Sequence, residues 1–405
     1  MTPGAPSSRR VAVVFTGGTI SMVADPRAGG NVPALDGAAI LARTPDLDRI
    51  ATVVAVDLGR TPASHFTLAD LLGIADRIRA LARDQEIDGI VVVQGTDTIE
   101  ETAFCWDLVQ DGVTPVVVTG AMRAASDPGY DGPANLRDAI AVAADPAMAG
   151  EGVVVVLGGT IEAADDVAKT HTSSLTTFRS PNAGRLGTVE GGRVHLARRR
   201  VARRHVRTGQ AAERIHLITV TTGMDGSLIR AAVAAGSDGL VVAATGSGNT
   251  SPGTLAAAVE AMAAGIPVVL ATRCLGGCVS TAYAFPGGGA TWARAGAILA
   301  GHLSGPKARV ALALGIGAGL DDPGLRALLA RQVEAFVYDR PLMAWIVSQD
   351  FRSSIQILDA TFDPQNYAFA LPSGSPLRKP LNVAILHAVQ SRWWDDTLFR
   401  YIGSR

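Results

Sequence analysis

Short runs rich in Val and Ile recur along the chain at residues 11–15, 52–57, 89–93, 115–119, 152–157, 217–221, 239–244 and 267–271, each closed by a polar or Gly-rich turn. Within each run apolarity is nearly continuous rather than alternating. That is the pattern of a strand covered on both faces, as in a parallel sheet between helices. Between the runs lie stretches of helical spacing: Leu68, Leu71, Leu72, Ala75, Ile78 and Leu81 fall on one face of a helix. The alternation predicts an α/β architecture, doubly wound and mainly parallel.

In such sheets ligands sit beyond the carboxyl ends of the strands, where the chain turns into the next helix. The residues to inspect are therefore Thr16-Gly17-Gly18-Thr19-Ile20, Gln94-Gly95-Thr96-Asp97-Thr98, Gly120-Ala121-Met122-Arg123 and Thr245-Gly246-Ser247-Gly248-Asn249. All four are expected on one edge of the layer, making a hydroxyl-rich site with one carboxylate, Asp97, at its centre. The pair Gly17-Gly18 permits close backbone approach to a ligand, but it lacks the Lys-Ser/Thr of a phosphate loop and the spacing of a dinucleotide fingerprint. It either makes a tight turn or presents Thr19 as a nucleophile at a strand end. A Thr hydroxyl is a poor nucleophile until a base takes its proton. Thr96 beside Asp97, with Lys169 of Asp165-Asp166-Val167-Ala168-Lys169-Thr170-His171-Thr172 nearby, would form a hydroxyl–amine–carboxylate chain analogous to Ser-Lys variants of the triad. The plainer alternative for Lys169 is a surface charge balancing Asp165 and Asp166.

Composition narrows the classes. A length of 405 residues suggests two or three domains, and 48% hydrophobic residues suffice for a large core. A net charge of −1 argues against a generic nucleic-acid binder and against wholesale disorder. The basic cluster Arg198, Arg199, Arg200, Arg203, Arg204, His205 and Arg207 has no interleaved aromatics, so it reads as a solvated strand and linker rather than an RNA or phosphate patch. Three Cys cannot form a disulfide framework: Cys105 sits on an apolar helix pattern, and Cys274 and Cys278 flank Leu-Gly-Gly as core or turn thiols. Neither zinc spacing nor a G-x-S-x-G elbow occurs, and His65 and His171 fall near the proposed loops. No apolar stretch reaches the roughly 18 residues that cross a bilayer, and the polar start through Arg10 carries no cleavage-site pattern. The expectation is a cytoplasmic protein without nucleic-acid or membrane partners.

Taken together and in order, Thr16-Gly17-Gly18-Thr19-Ile20, Gly95-Thr96-Asp97-Thr98-Ile99-Glu100-Glu101-Thr102, Gly120-Ala121-Met122-Arg123 and Asp131-Gly132-Pro133-Ala134-Asn135-Leu136 resemble the bacterial-type L-asparaginase family. The resemblance runs over about residues 11–329, and Gly248-Asn249, Pro267-Val268-Val269 and Gly305-Pro306-Lys307-Ala308-Arg309 agree with it. It implies a two-domain asparaginase-like fold, with an N-terminal domain over 10–195, a linker over 196–213 and a C-terminal domain over 214–330. It also implies an amidohydrolase converting L-asparagine and water to L-aspartate and ammonia, with glutamine as a second substrate and no metal or organic cofactor. Carried across by position, Thr19 is the nucleophile on the hinge of a mobile lid. Thr96, Lys169 and Asp97 form the second catalytic group, Asp97 also binding the substrate's α-amino group. The amide N–H groups of Thr96 and Ala121 form the oxyanion hole, and Gly18, Ser64, Gly95, Ala121 and Asn249 line the substrate. The family's enzymes are homotetramers built from dimers, each site lying between one subunit's N-domain and its partner's C-domain. The chain departs from the pattern at several places. The lid Tyr falls on Val32, the substrate-binding Ser-Gln pair on Ala63-Ser64 and the His of His-Gly-Thr-Asp on Gln94, while the partner-subunit Glu has no clear counterpart near Tyr283.

Residues 331–405 are expected to form an extra C-terminal α/β fragment. Phe336-Val337-Tyr338-Asp339, Tyr367-Ala368-Phe369-Ala370-Leu371-Pro372 and Ser373-Gly374-Ser375-Pro376-Leu377-Arg378-Lys379-Pro380-Leu381-Asn382 resemble the last part of periplasmic and ionotropic-receptor-type amino-acid-binding domains. In that family the aspartate equivalent to Asp339 grips an amino group. The first lobe with its carboxylate-binding Arg is missing, however, and half a cleft cannot enclose a ligand. An appended non-binding segment is the favoured reading. The alternative is a catalytically impaired amino-acid sensor. A transamidosome subunit would share the catalytic core but carry an N-terminal barrel, whereas here the first strand starts at about Val11.

Overall fold

The computed structural model describes residues 9–200, 202–330, 376, 378–394 and 396–397. The first part of the chain builds β1 (Arg10–Phe15), the hairpin β2 (Met22–Asp25) and β3 (Gly30–Pro33), α1 (Gly37–Ala42), β4 (Thr52–Asp57), α2 (Leu68–Ala82), β5 (Gly89–Val93), α3 (Ile99–Val109), β6 (Val116–Thr119), α4 (Gly132–Ala144) and β7 (Val153–Leu157). Then follow β8 (Thr160–Ala163), β9 (Ala168–Lys169), β10 (Phe178–Arg179), β11 (Gly187–Glu190) and β12 (Arg193–Leu196). Eight of these strands form one sheet in the order β12-β11-β8-β7-β6-β5-β1-β4. Its Val-rich half, from β7 to β4, is parallel. The β7, β8, β11 and β12 pairings are antiparallel.

Every residue of β5, β6 and β7 is buried, as their unbroken apolarity requires. One face of the sheet is covered by α2 and α3, with Trp106 fully buried and its indole N–H donating to the Leu71 carbonyl at 2.9 Å. The other face is covered by α4, through Leu136, Ala139, Ile140 and Ala143. Burial of a Leu or Ile side chain such as Leu136 or Ile140 stabilises the sheet by roughly 1.5–3 kcal/mol. Helix α2 begins with a reciprocal cap in which Thr67 and Asp70 exchange backbone and side-chain bonds, so its start matches the expected helical face.

A second sheet, four-stranded and wholly parallel, consists of β13 (Ile215–Thr219), β14 (Gly239–Ala244), β15 (Val268–Thr272) and β16 (Ile298–Ser304). Helices α5 (Ser227–Ala234), α6 (Pro252–Ala263), α7 (Gly289–Arg294), α8 (Gly305–Gly317) and α9 (Asp322–Leu329) accompany it. The two sheets share a hydrophobic core that continues through α3 and α8. Strand β13 begins two residues before the expected run, because Ile215 and His216 already pair with Gly239 and Leu240.

Two expectations are corrected. The turn Thr245-Gly246-Ser247-Gly248-Asn249 follows β14, so it belongs to the second sheet and does not share an edge with the other three loops. The basic stretch is not simply solvated: the Arg200 and Arg203 side chains are only 4% and 10% exposed. Arg200 meets Asp107 at 2.7 Å and Asp165 at 3.2 Å, and Arg203 meets Asp107 at 3.2 Å. Arg199 pairs with Glu151. Arg200 and Arg203 tie the linker to α3 and to the segment after β8 and are thereby withdrawn from the surface, whereas Arg199 stays 60% exposed.

Residues 333–405 form a separate unit. Among its described residues a helix spans Arg378–Val389. Tyr338, Asp339 and residues 367–372, on which the resemblance to amino-acid-binding domains rests, lie outside the described residues.

Candidate active site

Strand order locates the site before any side chain is considered. From β1 the chain goes outward to β4 on one side and then returns to β5 on the other, so β1 and β5 are neighbours at which the winding direction reverses. Crevices open at such switch points beyond the carboxyl ends of the strands. The residues leaving β1 and β5 there are Thr16-Gly17-Gly18-Thr19 and Gln94-Gly95-Thr96-Asp97.

Glycine allows these two turns to touch. Gly18 has φ 97°, and a methyl group on it would lie 2.3 Å from the Gly95 nitrogen. Gly95 in turn lies against Ala63, to which an added methyl would approach within 3.0 Å, and the Thr98 hydroxyl donates to the Ala63 carbonyl at 3.3 Å. A methyl on Gly120 would meet the Gln94 carbonyl at 2.5 Å and the Thr96 Cγ2 at 3.2 Å. Four segments therefore converge: the turns after β1, β5 and β6, and the short turn Ala63–His65. Thr19 follows the glycine that touches Gly95, and Thr96 follows Gly95 itself.

Lys169 completes the group from 72 residues beyond Asp97. Its Nζ lies 3.0 Å from the Thr96 Oγ1 and 2.7 Å from the Asp97 Oδ1. The lysine side chain is 15% exposed and Asp97 is 75% exposed. The amine is thus sheltered beside a hydroxyl, while its carboxylate partner also faces the opening, where an ammonium group could meet it. The backbone N–H of Lys169 donates to Glu100 on α3 at 2.8 Å, which anchors the two-residue strand β9. The hydroxyl–amine–carboxylate chain expected from the sequence is present.

The remaining expected residues sort clearly. Ser64 is exposed on the turn beside Ala63 and Gly95. Ala121 is buried directly after Gly120, and neither its amide nor that of Thr96 donates to another group among the described residues. Two unpaired N–H groups at adjacent strand ends can receive a developing oxyanion. Asp131 accepts from the Met122 and Arg123 amides at 2.9–3.1 Å, and Asn135 donates to the Gly120 carbonyl at 3.0 Å, so the loop holding Ala121 is fixed from α4. Asn249 lies on the second sheet with its Oδ1 buried and unpaired, and nothing among the described residues ties it to the Thr19–Thr96 group. Cys105 is buried in α3, where burial pushes its thiol up to about 12, so it is chemically inert. Among the described residues no cluster of His, Cys, Asp or Glu could hold a metal ion, and no helix is long and apolar enough to cross a membrane.

Tyr130 was not foreseen. Its hydroxyl donates to the Ile20 carbonyl at 2.7 Å, one residue after Thr19. Val32, where the family's lid Tyr would fall, pairs with Val23 in the β2–β3 hairpin. That hairpin is pinned by the Ala125 amide to the Met22 carbonyl and by the Ala24 amide to the Ser126 hydroxyl.

Comparison with known proteins places this geometry in context. Residues 10–202 match the family model described as asparaginase, N-terminal, and residues 214–329 match the glutaminase/asparaginase C-terminal domain. The "Probable L-asparaginase" of Deinococcus radiodurans is 38% identical over 319 residues, covering 77% of this chain and 95% of its own length. An "L-asparaginase" of Bacillus licheniformis is 32% identical over 307 residues, covering 76% of this chain and 95% of its own. The crystal structure titled "Probable Cytoplasmic L-asparaginase" from Campylobacter jejuni aligns with a TM-score of 0.71 at 27% identity, over 79% of this chain and 99% of that one.

Proposed function

Since this chain belongs to the asparaginase family, we propose that it hydrolyses L-asparagine to L-aspartate and ammonia through the Thr19 hydroxyl and the Thr96–Lys169–Asp97 group. The observation that carries the reading is the Lys169 Nζ bridging Thr96 and Asp97 at 3.0 and 2.7 Å, beside the glycine contact that brings the Thr19 turn against Gly95.

Asp97, exposed at the opening, receives the α-ammonium of the substrate, and Ser64 lies beside it. This places the side-chain amide against the Thr19 hydroxyl. Attack of the Thr19 oxygen on the amide carbon breaks the carbonyl π bond, and the charge that develops on oxygen falls to the Thr96 and Ala121 N–H groups. Preorganised donors of this kind contribute several kcal/mol to such steps, about 3–4 kcal/mol for one donor. Collapse of the tetrahedral species expels the amide nitrogen, which leaves as ammonia carrying the proton that the Thr19 hydroxyl gave up, and leaves an aspartyl ester on Thr19. Water then attacks the ester. Thr96 and Lys169 relay its proton, and aspartate is released with the Thr19 hydroxyl restored. The water supplies one oxygen to the product carboxylate, and no electron is gained or lost overall. Side activity on glutamine fits the same chemistry; a "Glutaminase-asparaginase" of Pseudomonas fluorescens is 29% identical over 276 residues.

The working enzyme in this reading is a cytoplasmic homo-oligomer, a dimer or dimer of dimers. Asn249, with its unpaired buried oxygen, serves the site of a neighbouring copy rather than its own. An ammonia-release assay on the full-length chain with L-asparagine, L-glutamine and D-asparagine tests the activity. Thr19→Ala and Thr96→Ala should each lower kcat by roughly a thousandfold or more, since loss of a nucleophile or its activator leaves only binding and oxyanion stabilisation. Release of ammonia by either variant at the parent rate would overturn the assignment.

A further inference from the structure

The chain carries 36 Lys and Arg, of which only Lys169, Lys307 and Lys379 are lysines. One of these is the amine of the site. A second, Lys307, is 2% exposed in the shared core and donates from Nζ to the Val167 carbonyl at 2.6 Å, across 140 residues of sequence. Val167 precedes Lys169 by two residues. We propose, on the strength of the functional reading above, that Lys307 is a positioning residue for Lys169: its ammonium fixes the Val167 carbonyl and thereby sets the reach of Lys169 toward Thr96 and Asp97.

Three observations support this. Strand β9 is only two residues long and pairs only with the two residues of β10, so its own ladder cannot hold it against thermal motion. The bonds that flank Ala168 are Lys307 to the Val167 carbonyl and the Lys169 amide to Glu100, while the Val167 amide donates to the Ala163 carbonyl at 2.9 Å and the Thr170 amide to the Thr177 carbonyl at 2.9 Å. Further, Lys307 lies in the first turn of α8, capped by Ser304. A cation there opposes the helix dipole, and a buried cation loses its hydration, so neither helix formation nor core packing favours lysine at this place. Finally, the surroundings compensate the charge without forming a close ion pair. The Phe104 ring centroid lies 5.9 Å from Nζ, Glu100, Asp165 and Asp166 attract it and Arg200 repels it. Burial still pulls its pKa down to about 8. Glu100 thus acts on both lysines, accepting from the backbone of one and attracting the ammonium of the other.

The test uses the full-length protein as Lys307→Met, Lys169→Met and the double variant. Lys307→Met should lower kcat for L-asparagine about tenfold or more with KM within about threefold, because the loss falls on proton relay rather than substrate binding. In the Lys169→Met background the same change should cost less than about twofold, since residues acting as a unit are non-additive. Its Tm should stay within about 4 °C of the parent or rise, because the variant exchanges a costly buried charge for an apolar side chain of similar length. A crystal structure of Lys307→Met should show Lys169 Nζ moved beyond hydrogen-bond distance of Thr96. Parent-like kcat in Lys307→Met, a loss that multiplies fully with Lys169→Met, or an unchanged Lys169–Thr96 contact would each overturn the inference. Should Lys307→Met fail to fold, Lys307→Gln, which keeps a shorter neutral donor, carries the same readouts. A parent chain that released no ammonia would defeat the functional reading instead, while the crystallographic comparison would still decide the positioning role.

Discussion

Tyr130 shows how a single residue changes the account of nucleophile activation. The position of the family's lid Tyr is Val32, which can neither give nor take a proton. Tyr130 supplies a hydroxyl close by, but burial pushes its phenol up to about 12, so in the working range it is a neutral donor and not a base. Its bond to the Ile20 carbonyl holds the peptide that follows Thr19. Tyr130→Phe should therefore remove one net hydrogen bond, about 1 kcal/mol, and slow turnover roughly fivefold. The pH profile of kcat should keep its shape between about pH 6 and 9, because Tyr130 does not titrate there. A steady-state pH series on the two proteins checks this, and loss of an ionisation from the profile would reassign Tyr130 as a proton carrier. Thr96, Asp97 and Lys169, which the structure brings together, could be picked out from sequence because each stands in a short polar motif after an apolar run. Tyr130 could not, because its partner Ile20 is 110 residues away and its own surroundings read as an ordinary turn.

Among the elements, the turn after β1 depends most on one residue. Gly18 sits at φ 97°, where an L side chain is strained, and the atoms that a methyl would strike belong to the Gln94-Gly95 backbone, which cannot rotate aside. Gly18→Ala must push the Thr19 turn away from the Thr96 turn, and a displacement near 1 Å costs on the order of a hundredfold in rate. Gly59 is the matching control. Its φ is 106°, but a methyl there meets nothing within 4 Å, so Gly59→Ala carries the strain without the collision. Kinetics should show Gly18→Ala losing about two orders of magnitude in kcat with Gly59→Ala within about threefold of the parent. Equal losses in the two variants would mean that strain rather than contact is responsible. The parallel strands were legible because continuous apolarity identifies a doubly covered strand, and β5 and β14, buried throughout, fall where their runs do; β4 also falls on its run, although as an edge strand it has no buried residue. The hairpin β2–β3 and the pairing of β9 with β10 were not. Strands of two to four residues with mixed polarity have no periodicity to detect, and their positions come from contacts with distant segments.

At the scale of the whole molecule, the linker's Arg200 and the core Lys307 belong to one buried system of charges. Asp165 lies between Arg200, at 3.2 Å, and Lys307, whose charge acts on it. Burial alone would push the Asp165 carboxyl up, yet Arg200 and Lys307 hold it below the ordinary range. A depressed carboxylate adds stability that is complete above its unfolded pKa, near 3.9, and disappears as pH falls through the folded value. Arg200→Met reverses the sign for Asp165. With its main cation gone, burial dominates, the folded carboxyl takes up a proton more readily than the unfolded one, and protonation relieves the variant. It also leaves the 2%-exposed Asp107 with Arg203 as its remaining cation. Urea unfolding at pH 7 should find Arg200→Met less stable by about 3–5 kcal/mol, the cost of removing one partner from a buried pair. At about pH 4 that gap should narrow by roughly 1 kcal/mol or more, since a unit of pKa difference corresponds to about 1.4 kcal/mol. A gap that stayed constant with pH in Arg200→Met would show that Asp165 is not controlled by the linker, and that the charges around Lys307 are set within the two sheets alone.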